Sequence, residues 1–179
     1  MVEHNKKTLV VNLFGGPGTG KSHCAARLYG HCNNWDAELV REYAKDLVWE
    51  ERTVEFEDQL TIIGKQLKRL NAVKGKVDVV FTDSPILLGA IYDKAGTLTE
   101  TFKTAHDKYW NLNIFLRRTK AYNPNGRFQT EEEAKNLDTA IKAMLDKYDV
   151  TYIELDCDGT EDAQIMRYVN LWLEGIRRV

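Results

Sequence analysis

The stretch Gly15-Gly16-Pro17-Gly18-Thr19-Gly20-Lys21-Ser22 matches the pattern GxxxxGK(S/T) at every fixed position. It follows an apolar run over residues 8–14 that predicts a buried strand, and it precedes a predicted helix that ends near residue 30. Glycines let successive backbone N–H groups turn toward one anion, and the start of the helix adds the positive end of its dipole. The stretch therefore predicts a strand, loop and helix that bind the phosphates of a nucleotide.

Two side chains of this loop carry specific chemistry. We expect Lys21 to reach the β- and γ-phosphates of ATP or GTP, and the Ser22 hydroxyl to ligate Mg²⁺. His23 follows at the start of the helix and is grouped with the nucleotide-binding residues. The predicted cofactors are ATP and Mg²⁺.

The composition limits the class of protein. The chain has 179 residues, which predicts one domain over residues 1–179, and a net charge of −2. This balance argues against a dedicated coat protein for nucleic acid, and no apolar run approaches the roughly 18 residues of a membrane helix. The polar N-terminus has no secretory core, and the three cysteines include no CxxC pair. We expect a cytoplasmic protein without a membrane segment. The sequence leaves open whether it is a monomer or an oligomer.

Apolar runs alternate with helical patterns along the chain, which predicts a parallel sheet covered by helices on both faces. The strands are expected at residues 8–14, 37–40, 77–82, 112–116 and 150–155. Helices are expected over 86–92, 100–110 and 161–178, and over 130–148, where Thr130 and Glu133 form a capping box. A further apolar stripe predicts the core-facing side of a long amphipathic helix; it comprises Phe56, Leu60, Ile63, Leu67 and Leu70.

Asp83 ends the third predicted strand and is followed by Ser84 and Pro85. If this strand lies beside the first, the Asp83 carboxylate faces the phosphate-binding loop and holds the metal directly or through water. The alternative is an N-cap for the helix that begins near Pro85, and the two roles are compatible. Ser84 is grouped with the substrate-binding residues.

The acceptor of a phosphoryl group is expected at the carboxyl ends of the strands. Arg41, Glu42 and Tyr43 follow the second strand there, and they are candidates to bind an acceptor phosphate, orient its hydroxyl and stack on its base. The alternative is an ordinary ion pair on the next helix. Three further residues are candidates for lining the same pocket, with core packing as the alternative for the two aromatic ones: Trp49, Phe56 and Gln59.

A basic segment precedes the capped helix. Arg117, Arg118, Lys120 and Arg127 lie within eleven residues that contain no acidic residue. We expect a lid at about residues 117–130 in which at least one arginine neutralises charge on the transferred phosphoryl group, with Arg127 first and Arg117 or Arg118 next. A solvated basic loop is the alternative.

The class of nucleotide protein follows from what surrounds the loop. A GTPase normally carries Asn-Lys-x-Asp after the fourth strand, and this chain reads Arg-Arg-Thr-Lys there. A ring-forming AAA+ motor usually carries a further helical domain, for which 179 residues leave little room. A small kinase fits the length, and an ATPase that acts through a protein partner is the alternative from another class.

Four segments occur in an order that resembles a known group: the loop at 15–22, residues 41–43, residues 82–85 and residues 125–127. Together they resemble the ribosylnicotinamide kinase domain, and more closely the small P-loop kinases or ATPases of tailed bacteriophages. The resemblance runs from about residue 8 to residue 173. It implies a P-loop NTPase fold with a five-stranded parallel sheet in the order 2-3-1-4-5, helices on both faces and a lid.

The resemblance also implies a reaction, which is the transfer of the γ-phosphate of ATP to a nucleoside, a nucleotide or a similar acceptor. We expect it to take place in the cytoplasm, and in the cytoplasm of the host if a phage encodes the chain. It implies roles for Lys21 and Ser22 on the phosphates and metal, for Asp83 as metal ligand or base, for Glu42 on the acceptor and for Arg127 in the lid. Ribosylnicotinamide kinases usually carry an aspartate where this chain has Asn125. Some phage relatives phosphorylate 5-hydroxymethyluracil within DNA, so DNA is an alternative substrate.

Overall fold

The computed structural model describes residues 6–119, 121–122 and 130–177. Five parallel strands form one sheet in the order β2-β3-β1-β4-β5, which confirms the expected order. Because β1 lies in the centre, the loop that follows it is flanked by the ends of β3 and β4. The strands are β1 (Leu9–Phe14), β2 (Ala37–Val40), β3 (Val79–Thr82), β4 (Trp110–Arg117) and β5 (Ile153–Asp156).

Helices cover both faces of this sheet, as expected. Side chains alternate along β1, so that Val11 and Leu13 pack with α1 and α7, whereas Val10 and Phe14 pack with α3, α5 and α6. Two 3₁₀ turns at Thr53–Glu57 and Ile86–Leu88 interrupt the connections. The helices are α1 (Lys21–His31), α2 (Ala44–Trp49), α3 (Gln59–Val73), α4 (Gly89–Tyr92), α5 (Thr99–His106), α6 (Glu131–Lys147) and α7 (Glu161–Arg177).

The expected long helix with its buried stripe is wrong at its start. Residues 53–57 form a 3₁₀ turn, and Asp58 begins a new helix, because its carboxylate accepts a hydrogen bond of 3.0 Å from the Thr61 N–H. Leu60 lies in the first turn of α3 and is 58% exposed, whereas Ile63 and Leu70, further along the same face of the helix, are buried.

Other elements also differ from the expectation. The short helix α2 had not been expected, and the fifth strand begins at Ile153 rather than at residue 150. Trp110 does not end a helix but begins β4, where it pairs with Leu9. The reason is local, since the Asn111 side chain donates a hydrogen bond of 2.7 Å to the His106 carbonyl and so ends α5.

The helix after the basic segment begins where the sequence indicates. The Thr130 hydroxyl accepts from the Glu133 N–H at 3.2 Å, and the Glu133 carboxylate accepts from the Thr130 N–H at 2.7 Å, which confirms the capping box. Lys120 and Arg127, on which part of the expected lid rests, lie outside the described residues. Within the described part of the chain, none of the helices combines the length and the apolar character needed to cross a bilayer.

Candidate active site

The loop between β1 and α1 has the backbone form that its glycines permit. Gly15, Gly18 and Gly20 have φ angles of +140°, +80° and +102°, which other residues rarely adopt. The Thr19 hydroxyl closes the loop with a hydrogen bond of 3.0 Å to the Gly16 carbonyl. The loop is therefore held in a fixed conformation at the start of α1, where backbone N–H groups are available to an anion.

Lys21 lies over this loop. Its ammonium group donates hydrogen bonds of 2.6 Å to the Gly15 carbonyl and 3.0 Å to the Gly16 carbonyl. Burial lowers the pKa of Lys21, and the carboxylates of Glu42, Asp83 and Asp138 act in the opposite direction. The lysine is thus a cation in a carboxylate-rich site.

Ser22 has a neighbour that the sequence did not indicate. Lys45, in the first turn of α2, donates a hydrogen bond of 3.1 Å from its ammonium group to the Ser22 hydroxyl. His23, by contrast, is exposed on α1. Lys45 therefore places a second positive charge beside the residue expected to ligate Mg²⁺.

Asp83 and Glu42 are joined at the ends of two neighbouring strands. Val40 in β2 pairs with Thr82 in β3, and the residues that follow bring the Glu42 N–H to 2.9 Å from Oδ1 of Asp83. Asp83 is only 4% exposed. Burial raises the pKa of Glu42, with Asp83 acting in the same direction and Lys21 against it.

These contacts bring Lys21, Glu42 and Asp83 into one site, although they lie far apart in the sequence. The Ser84 N–H donates to the Thr82 hydroxyl at 3.2 Å, which fixes the turn after β3. Glu42 is a carboxylate whose neutral form is favoured by its surroundings, a property suited to a group that exchanges a proton with an acceptor.

Residues on either side of Glu42 have structural partners. Arg41 is exposed and forms an ion pair of 3.3 Å with Asp46, which is the alternative that the sequence left open. The Tyr43 N–H donates a hydrogen bond of 3.1 Å to the buried Gln66 side chain, and the Arg69 guanidinium lies 5.3 Å from the centre of the Tyr43 ring. Gln66 thus holds the backbone of Tyr43, the residue directly after Glu42.

The other expected pocket residues lie between the end of α2 and the beginning of α3. The Gln59 amide donates a hydrogen bond of 2.6 Å to the Phe56 carbonyl, and Phe56 is half-buried. Trp49 is 79% exposed at the end of α2, so the core-packing alternative for this residue is wrong.

Tyr92, at the end of α4, is a neighbour of Glu42 that the sequence did not reveal. It is 43% exposed, and partial burial together with the Glu42 carboxylate raises the pKa of Tyr92 to about 12. No motif marks it, because α4 is a single turn that is placed here by packing.

The two arginines that follow β4 have different surroundings. Arg117 forms an ion pair of 2.8 Å with Asp156 of the neighbouring strand, and both side chains are half-exposed. Arg118 is buried and pairs with Asp138 of α6 at 3.1 Å. Asp138 also accepts a hydrogen bond from the Gly16 N–H. Arg118, rather than Arg117, therefore contacts the residues around the phosphate-binding loop.

The donor set of the site suits Mg²⁺. A hydroxyl at Ser22 and a carboxylate at Asp83 are the oxygen ligands that this ion prefers. Among the described residues, one further group of potential metal ligands lies elsewhere, at Cys24, Glu161 and Asp162. Arg27 forms ion pairs of 2.5 Å with both of these carboxylates, so their charge is already compensated and the group is a structural network.

Comparisons with known proteins support the fold. One similar structure is a crystal structure of NadR protein in complex with NR, with 21% sequence identity and a TM-score of 0.67 over 88% of this chain. The match covers 47% of that protein, so this chain spans about half its length. Another is thymidylate kinase from Ehrlichia chaffeensis, with 14% identity and a TM-score of 0.56 over 84% of this chain and 87% of that one. At these identities the likeness establishes the P-loop NTPase fold alone.

A search of curated protein sequences finds no match. The family model described as "AAA domain" matches residues 10–162, which include the phosphate-binding loop, all five strands and the helices up to the start of α7. The chain therefore belongs to this family of AAA domains.

Proposed function

We propose that the protein is an ATP- and Mg²⁺-dependent kinase that transfers the γ-phosphate to a nucleoside, a nucleotide or a similar acceptor. The observation that carries the proposal is the hydrogen bond of 2.9 Å from the Glu42 N–H to Asp83. It ties the backbone of Glu42, whose carboxylate is proposed for the acceptor side, to the Asp83 carboxylate proposed for the metal, and both carboxylates act electrostatically on Lys21. Transfer to an acceptor and hydrolysis both need a group that orients the nucleophile, so the label of the transferred phosphate has to separate them.

Each residue has a role in this proposal. The N–H groups of residues 15–22 and the Lys21 ammonium bind the polyphosphate, and Lys21 leaves the carbonyls of Gly15 and Gly16 to do so. Bound Mg²⁺ supplies compensation for phosphate charge, and the Ser22 hydroxyl and Asp83 carboxylate would hold it. Lys45 then moves from Ser22 toward the phosphates. Glu42 orients the acceptor hydroxyl and receives its proton.

The choice of acceptor class rests on three observations. Glu42 acts electrostatically on the phenol of Tyr92, and Tyr43 is the next residue along the chain from Glu42. Aromatic side chains favour planar bases. The two similar structures are a NadR protein in complex with NR and a thymidylate kinase. The basic segment is proposed to act as a lid, with Arg127 as its first catalytic candidate.

A second candidate function is favoured by the family description, "AAA domain". An ATPase of this kind hydrolyses ATP and acts through a protein partner. It uses the same phosphate-binding loop and Asp83, and Glu42 would then orient a water molecule instead of an acceptor hydroxyl.

The two functions are separated by following the label of [γ-³²P]ATP. The acceptors offered are nucleosides, nucleotides, nicotinamide riboside and DNA that contains 5-hydroxymethyluracil. The proposal predicts a labelled organic product, and Glu42→Gln abolishes its formation while ATP binding is retained. Release of inorganic phosphate alone, with every acceptor unlabelled, overturns the kinase and favours the ATPase. Labelled DNA with unlabelled small molecules assigns the DNA-base reaction instead.

A further inference from the structure

Asp138 links three parts of the molecule that are remote in sequence. It lies in the middle of α6, and its Oδ1 accepts a hydrogen bond of 2.5 Å from the Gly16 N–H. Its Oδ2 accepts one of 3.1 Å from Nη2 of Arg118, which follows β4. One carboxylate thus holds the phosphate-binding loop with one oxygen and an arginine with the other.

The contact between α6 and the loop is close. A side chain at Gly16 would place its first carbon 2.7 Å from the Ala134 carbonyl and 2.8 Å from the Asp138 carboxylate. The glycine is therefore required for the helix to approach the loop, and Asp138 is held at a fixed distance from it.

Arg118 has donor groups beyond the one that Asp138 accepts. Its side chain is only 9% exposed, and Nε and Nη1 have no hydrogen-bond partner among the described residues. The Tyr122 ring lies 5.6 Å from the guanidinium carbon. A buried N–H group without a partner destabilises the folded state, so such groups in a folded protein normally serve a purpose.

We propose that Asp138 is a positioning residue for nucleotide binding: it holds Arg118 beside the phosphate-binding loop, so that Nε and Nη1 of this arginine bind phosphate oxygens of the nucleotide. The inference rests on the nucleotide binding in the proposed function and adds a residue to it. Because one carboxylate bonds both Gly16 and Arg118, the arginine keeps its place relative to the loop. A guanidinium held in this way binds an anion without losing side-chain entropy.

A double-mutant cycle tests the inference with the purified full chain. Asp138→Asn is the sharpest variant, because the amide oxygen still accepts from the Gly16 N–H while its NH₂ group faces Arg118, a donor against a donor. The other corners are Arg118→Ala and the double variant. The measured quantity is the dissociation constant of a fluorescent ATP analogue. We expect Asp138→Asn to weaken binding about tenfold alone and less than twofold in the Arg118→Ala background.

The ion pair of the preceding arginine, Arg117, supplies a matched control. Asp156 pairs with Arg117 as Asp138 pairs with Arg118, but both partners are half-exposed. Asp156→Asn is therefore expected to leave the dissociation constant unchanged within twofold. Thermal melting of each variant establishes that it is folded, and Asp138→Ala replaces Asp138→Asn in the cycle if the amide variant does not fold.

The outcomes separate this inference from the proposed function. If Asp138→Asn weakens binding equally with and without Arg118, Asp138 acts through the loop or the fold, and the inference is overturned. It is also overturned if neither Asp138 variant folds. If the cycle shows coupling but no acceptor is phosphorylated, the inference holds and the kinase proposal fails.

Discussion

The backbone N–H of Glu42 donates a hydrogen bond of 2.9 Å to Oδ1 of Asp83. The two residues are 41 positions apart, and the parallel pairing of Val40 with Thr82 brings them together. Asp83 is held by this bond at the edge of the phosphate-binding loop, and Glu42 is held next to it. Because of this hydrogen bond, the position of Glu42 after β2 and the position of Asp83 after β3 depend on each other.

Glu42→Gln tests the acceptor-side role. We expect phosphoryl transfer to fall by about 10²–10⁴-fold, because a general base is lost, while ATP affinity changes little. Steady-state turnover and nucleotide binding, measured on the same preparation, check this. An equal loss of both would remove Glu42 from the acceptor role.

The same variant has an effect on stability with a defined sign. Burial raises the pKa of Glu42 in the folded state, so its ionised form opposes folding above the ordinary glutamate pKa. Glu42→Gln is therefore expected to raise the melting temperature at pH 8 and to have a smaller effect at pH 4. Differential scanning calorimetry at the two values checks the difference, and a gain confined to pH 4 would contradict it.

Lys21→Ala tests the phosphate-binding loop. Removing the ammonium group is expected to lower phosphoryl transfer by orders of magnitude with the fold retained, since Lys21 bonds the Gly15 and Gly16 carbonyls of its own loop. Circular dichroism and the labelling assay measure the two properties. Near-normal turnover would exclude the assigned role.

Gly16→Ala tests the contact between the loop and α6. A methyl group there lies within 3 Å of the Ala134 carbonyl, so we expect a loss of about 1–3 kcal/mol in the free energy of unfolding. Gly30→Ala is the control, because this glycine in α1 has no atom within 4 Å of the added carbon. It is expected to stabilise the protein by up to about 1 kcal/mol. Denaturant unfolding of both variants decides; similar effects at the two sites would exclude the close approach.

The buried His106 is expected to make the folded state less stable at low pH. Burial lowers the pKa of His106 to about 4, against 6.5 in the unfolded chain. The unfolded state therefore binds the proton first, and stability is lost as the pH falls from 6.5 to about 4, by about 3 kcal/mol. Urea unfolding across this range checks the slope, and His106→Leu is expected to flatten it. An unchanged slope in the variant would place the acid sensitivity elsewhere.

Features that depend on neighbouring residues were predictable. The loop at 15–22, the strand order and the capping box of Thr130 and Glu133 were all predicted correctly, because each follows from a short pattern or from the family resemblance. The apolar stripe was wrong at its start, since Phe56 lies in the 3₁₀ turn before the cap at Asp58 and Leu60 lies exposed in the first turn of α3.

The sequence by itself determined the nucleotide-binding loop, the parallel sheet and the candidate carboxylates, because their signals are local. Only the tertiary structure decided which side chains meet. Lys45 bonds Ser22 across 23 residues, and Asp138 bonds Gly16 across 122. Such contacts arise when helices pack on a sheet, because the packing fixes the distances between residues that are remote in sequence. A carboxylate in the middle of an amphipathic helix carries no local sign of the loop against which it folds.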